Sequence, residues 1–179
     1  MKINLFIRKA KTVLLIFKVR CVDFFWNKYV KFCPYSLLKM KFKKCSSASN
    51  VIVSLTSFPK RMSMIHLPIK SIFLQSYIPK KVVLYLGSDT KEEDISSELK
   101  ELINCGLEIV FKDENLYSFK KFYYAMREYS DYPVITIDDD LIYEHNMIRQ
   151  LMRSYKNHTT CISSKRVNKM IKNEDVKLK

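Results

Sequence analysis

The sequence predicts an α/β fold, a mainly parallel sheet interleaved with helices and preceded by a basic helical arm. Three observations predict it. Four short runs rich in β-branched residues are apolar on both faces, as strands buried inside a parallel sheet are. Helical patterns separate them, and the charge divides sharply along the chain. With 179 residues and 47% hydrophobic content, the chain is long enough for one α/β domain.

The arm comes first. Residues 1–44 hold twelve Lys or Arg against the single acid Asp23, whereas the rest carries twenty bases and seventeen acids. The overall charge of +14 is therefore concentrated in the arm. Its longest uninterrupted apolar run, Val13 to Phe17, is broken by Lys18 and Arg20, well short of the ~20 residues that span a bilayer. No small-residue cleavage site follows, which argues against a secretory leader. Leu5, Leu15, Val19, Val22, Trp26 and Val30 recur at helical spacing among lysines. That pattern suits a helix lying in the headgroup layer of an anionic membrane. It equally suits a helical pair packed on the domain with its lysines in water.

Small polar residues at "KCSSASN", 44–50, mark a boundary. This divides the chain into the arm at 1–44, a domain at 45–170 and a charged tail at 171–179. Strands are expected at 51–55, 81–86, 107–111 and 133–137. Ile65, Ile69, Ile72 and Phe73 give a first helix with Pro68 in its opening turn. Thr90 with Glu93 reads as a capping box for a second helix. Ile95, Leu99, Leu102 and Ile103 supply its apolar face, and Gly106 its stop. Ser118 reads as the cap of a third helix carrying Phe122, Tyr123 and Met126. Three strand–helix alternations thus precede "VITIDDDLIY", predicting parallel β-α-β units.

Ligands of such sheets bind beyond the carboxyl ends of the strands, where Asp138, Asp139 and Asp140 stand. Alternation points Asp138 and Asp140 to one side and Asp139 to the other. Two converging carboxylates hold a proton or recruit a cation. Their oxygens favour Mg²⁺ or Mn²⁺, whose remaining positions suit water and phosphate, so a metal-bound diphosphate is the natural occupant. The alternative has Asp140 capping a helix that begins near Glu144, with the other two acids merely solvated.

Other chemistries fall away. The two glycines, Gly87 and Gly106, allow neither phosphate-cradling glycine motif to be written, which excludes P-loop nucleotidases and dinucleotide-binding dehydrogenases. A phosphatase with an Asp-x-Asp nucleophile would need the motif on its first strand. The five scattered cysteines, without a Cys-x-x-Cys pair, support neither disulfides nor zinc, and point to a reducing cytoplasm.

The order "SLTSFPKR", a helix ending in "FLQSYIP", "KVVLYLG", "NLYSFKKFYYAM" and "ITIDDDLIY" resembles bacterial glycosyltransferases of the Rossmann-like A-type fold that act in capsule and lipopolysaccharide assembly. The resemblance covers about residues 50–170. It implies that Asp138 and Asp140 hold Mn²⁺ or Mg²⁺ against the diphosphate of a nucleotide sugar, most naturally a UDP-sugar. Asp138 would also approach ribose or sugar hydroxyls, and Asp139 would contact the donor sugar or brace the loop. Thr56, Ser57 and Arg61 match the segment that grips the nucleotide. Asn115, Lys120 and Lys121 match a polar segment facing the donor, with one lysine at the phosphate and the other solvated. The implied acceptor is a glycan or lipid-linked precursor, at the cytoplasmic face of the inner membrane.

Relatives continue well past the metal motif. Beyond position 140 the acids are Glu144, Glu174 and Asp175, and none matches a family base, so no catalytic base is assigned. The chain reads as truncated after the donor-binding half. The rival expectation is a noncatalytic protein whose arm binds membrane or nucleic acid, with a degenerate transferase domain and structural aspartates. Nucleic acid is the less favoured partner, because the excess charge sits on an apolar arm.

Overall fold

In the computed structural model, residues 2–114 and 116–165 are described; for 2–11 and 13–16 the description is of the backbone. Asn115 and the tail at 171–179, both singled out above, lie outside the described residues. The chain opens with two helices, α1 (Lys2–Phe32) and α2 (Tyr35–Cys45). Then follow β1 (Ile52–Thr56), α3 (His66–Phe73), β2 (Lys81–Leu86), α4 (Ser97–Cys105), β3 (Leu107–Phe111), α5 (Lys120–Glu128), β4 (Val134–Thr136) and α6 (Met147–Asn157). The four strands form one all-parallel sheet in the order β3-β2-β1-β4.

The two-residue period of the strands sorts side chains onto the two faces. Val53, Leu55, Val82, Leu84, Leu86 and Leu107 enter the larger core, together with Ile69, Ile72 and Phe73 of α3 and Leu99 and Leu102 of α4. Ile52, Val83 and Tyr85 point the other way, against Ala125 and Tyr124 of α5. Both faces are covered, as the unbroken apolar strands require.

The boundary at residue 45 is not where the core begins. Val30 and Cys33 at the end of α1, and Leu38 and Phe42 of α2, are buried in the larger core. Burying a side chain such as Leu38 or Phe42 contributes about 1.5–3 kcal/mol. Two basic residues of this region also point inward. Lys70 on α3 is buried and donates to the carbonyls of Lys31 and Cys33 at 3.1 and 2.8 Å, capping the end of α1. Lys41 on α2 donates to Leu74 O at 2.8 Å and caps α3 in the same way. Desolvation pushes the pKa of both lysines down.

Several local expectations need correction. α4 begins at Ser97, capped by Ser96, which accepts from Leu99 N at 3.3 Å; Thr90 and Glu93 make no capping box for it. Instead Asp94 accepts from Lys91 N, closing a separate short turn at Glu92–Asp94. Ile103 is exposed. Gly106 ends α4 as expected, in the left-handed conformation at φ +119°. Ser118 lies inside a short turn and provides no side-chain cap for α5. On α5 the buried residues are Lys120 and Ala125, while Phe122 and Met126 face outward. The pattern misled because lysine occupies a position that points into the fold.

Candidate functional site

Between β2 and β3 on one side and β4 on the other, the chain reverses its direction of winding about β1. The edge past the carboxyl ends of β1 and β4 is therefore the switch point of the sheet, where ligands of such folds bind. Ser57 and Arg61 follow β1, and the three aspartates follow β4 after Ile137, whose N–H still pairs with Ser54 O at 3.0 Å.

Asp138 and Asp140 are exposed and Asp139 is buried. Asp139 accepts from the buried Ser57 hydroxyl at 2.6 Å and from Arg61 Nη1 at 2.6 Å. The same Arg61 nitrogen donates to Asp140 Oδ2 at 3.0 Å, and its guanidinium lies 5.2 Å from the Phe58 ring centroid. The hydrogen bond and charge of Asp139, with Asp140 adding, push the Arg61 pKa up. Asp138 is met by Lys121 of α5, whose Nζ donates to Oδ1 at 2.5 Å and to Ile137 O at 3.1 Å. One end of α5 is held to β1 by Ser54, whose hydroxyl donates to Lys121 O at 2.7 Å. Each outward acid thus has a cation of the chain beside it.

The remaining expected residues fall elsewhere. Thr56 donates its hydroxyl to Tyr85 O at 2.7 Å and is turned to the neighbouring strand. Lys120 is not solvated; it is buried, its pKa lowered by desolvation and partly restored by the charge of Asp89. Asp140 caps no helix: α6 starts at Met147 behind Asn146, without a side-chain cap. Glu144 pairs with Lys165 at 2.5 Å.

Residues without an assigned role in the sequence hold the acid loop. Tyr143 turns its hydroxyl back to accept from Asp138 N at 2.7 Å. Burial, opposed by that hydrogen bond and reinforced by the nearby aspartates, pushes its pKa up to about 12. Its N–H donates to Ser71 Oγ at 3.1 Å, and its carbonyl accepts from Trp26 Nε1 of α1 at 2.8 Å. Buried Gln75 donates to Glu144 O at 2.7 Å and to Ser71 O at 3.2 Å, and accepts from Ile148 N at 3.1 Å. The sequence signals were present, a tyrosine five residues past the first acid and a glutamine ending the first helix, but only the tertiary pairing gives them a task.

Among the described residues no group of three or more His, Cys, Asp or Glu side chains gathers as a metal site. An ion seated on Asp138 and Asp140 would take its other ligands from phosphate and water, which is how Mg²⁺-type ions are commonly held. The all-oxygen donor set suits such an ion. No protein-family model matches the chain, and no curated protein matches it either.

Proposed function

We propose that the chain is a metal-dependent glycosyltransferase of the A-type fold, or the donor-binding half of one, that takes a sugar from a nucleoside diphosphate for a cell-surface glycan precursor. What supports this reading above all is that two exposed acids, each beside a cation of the chain, stand at the switch-point edge of a parallel sheet. Asp138 and Asp140 would hold Mn²⁺ or Mg²⁺. When bound, the ion supplies Lewis-acid stabilisation of the charge that develops on the leaving diphosphate.

The chain's own residues do the rest. Arg61 and Lys121 are the chain's cations beside the acids and would donate to phosphate oxygens of the bound diphosphate. The Ser57–Asp139 bond ties the loop carrying Arg61 to the loop carrying the acids. Tyr143 holds the backbone of Asp138. No base is assigned, since Glu144 is engaged by Lys165. The five cysteines are free thiols, which agrees with work in the cytoplasm.

The rival, a noncatalytic domain with structural aspartates, draws on one observation: Arg61 and Lys121 between them already pair with all three acids. Titration calorimetry of the full chain with UDP, with and without Mn²⁺, decides between them. The expected result is saturable, manganese-dependent binding abolished by Asp140→Ala. Lys121→Met should raise affinity for Mn²⁺ alone about fivefold, the worth of an exposed ion pair of about 1 kcal/mol, while weakening UDP. Binding of UDP that ignores manganese, or no binding of UDP, GDP or their sugars, overturns the proposal.

A further inference from the structure

α1 is a helix of 31 residues, and from residue 17 onward only its last turns enter the core, through Val30 with Trp26 packed at the margin, followed by Cys33 just past its end. The turns before them leave large apolar side chains in the open. Phe17, Val22 and Phe25 are 65%, 67% and 69% exposed. Phe17, Cys21, Phe25 and Tyr29 repeat every fourth residue and so form one ridge. With Val22 they form an open, nearly flat apolar surface along the helix. Lys18, Arg20, Lys28 and Lys31 stand exposed around them with Asp23 the sole acid between, and Lys28 reaches over the rings of Phe24 and Phe32 at 5.6 and 5.9 Å.

We propose that α1 docks the protein on an anionic phospholipid bilayer, lying in the headgroup layer. Phe17, Cys21, Val22, Phe25 and Tyr29 enter the acyl boundary while the cations meet lipid phosphates. Charge selects this occupant. A second copy would bring two arms of twelve bases and one acid together and repel. A nucleic acid would satisfy the cations and leave the aromatic ridge in water. Spanning is not the mode, for among the described residues no helix is long and apolar enough to cross a membrane. Docking also reaches the candidate site: Trp26 on α1 holds Tyr143 O, and Tyr143 holds the backbone of Asp138. The inference is independent of the transferase reading, because lipid binding is measured without substrate.

The test is cosedimentation of the full chain with phosphatidylcholine vesicles with and without phosphatidylglycerol, at low and raised salt. Binding is expected to require phosphatidylglycerol and to weaken with salt. Phe25→Glu and Val22→Glu, each at an exposed position, should reduce it about tenfold or more with melting curves unchanged. Lys18→Gln with Lys28→Gln should reduce it about thirtyfold, two cations at about 1 kcal/mol each. The proposal is overturned by absence of vesicle binding, by equal binding to neutral vesicles, or by binding indifferent to Phe25→Glu and Val22→Glu. Self-association abolished by Phe25→Glu, or tighter binding to duplex nucleic acid that Phe25→Glu leaves intact, overturns it too.

Discussion

Replacing Asp139 by alanine should cost far more stability than replacing its neighbour Asp138. Asp139 has a side chain 10% exposed and accepts from the buried Ser57 hydroxyl at 2.6 Å. A hydrogen bond to a charged group contributes about 1.5–3 kcal/mol, and its loss leaves a buried hydroxyl without its acceptor. The Arg61 contact faces water and is left out of the figure. For a chain of this size, each kcal/mol moves the melting temperature by about 2–4 °C, so Asp139→Ala should melt about 5–10 °C lower. Asp139→Asn, which keeps an oxygen for Ser57, should lose roughly half as much. Asp138, 61% exposed in its pair with Lys121, belongs with surface ion pairs of about 0–1 kcal/mol. Circular dichroism melts of the three variants decide it. If Asp138→Ala melts as early as Asp139→Ala, or Asp139→Ala melts with the wild type, the division into one bracing acid and two outward acids is refuted.

Gln75→Leu removes three hydrogen bonds and strands the buried Ile148 N, while Glu144 O keeps its bond from Met147 N. It should cost about 2–4 kcal/mol in urea unfolding, and loss of under 0.5 kcal/mol would contradict the strut role given to this side chain. Gly106→Ala combines a positive φ with a methyl placed 2.6 Å from Phe42 Cε1. A fall of about 1–3 kcal/mol is expected, partly recovered by adding Phe42→Leu, both read from thermal melts. Burial, with Lys41 and Arg149 adding, lowers the His145 pKa below 6.5 in the folded chain. The unfolded chain therefore takes up the proton first on acidification, and stability is lost as pH falls through 6.5. Comparing melts of the wild type and His145→Gln from neutral pH downward should show the wild type losing ground, and parallel curves would remove His145 from the account.

The strands were legible because burial on both faces demands continuous apolar runs; β2 and β3 fall where "KVVLYL" and "LEIVF" put them. Burial alternates along Asp138, Asp139 and Asp140, but the expected grouping of Asp138 with Asp140 does not follow from it, since one Arg61 nitrogen meets both Asp139 and Asp140 while Lys121 meets Asp138. Helix starts were harder. Thr90 and Ser96 are both plausible caps, and the choice depends on Asp94 closing a separate turn between them. Lysine defeats pattern reading most thoroughly. Lys70, Lys41 and Lys120 look like solvent residues, yet Lys70 and Lys120 are buried, and Lys41 shares with Lys70 the capping of helix carbonyls that only tertiary contact supplies. Which cation meets which acid was likewise undecidable from spacing, since Lys121 reaches Asp138 from another element.

The inward lysine of α3 also dictates where the gene can be cut. A fragment starting at Cys45 would forfeit Leu38 and Phe42 from its interior and leave the Lys70 ammonium facing a void where the ends of α1 and α2 had been. Such a fragment should precipitate or resist refolding, whereas one starting just ahead of Trp26 keeps every acceptor in place. Anyone testing the proposed lipid docking apart from the proposed nucleotide binding must trim from the amino terminus in short steps and stop before that tryptophan.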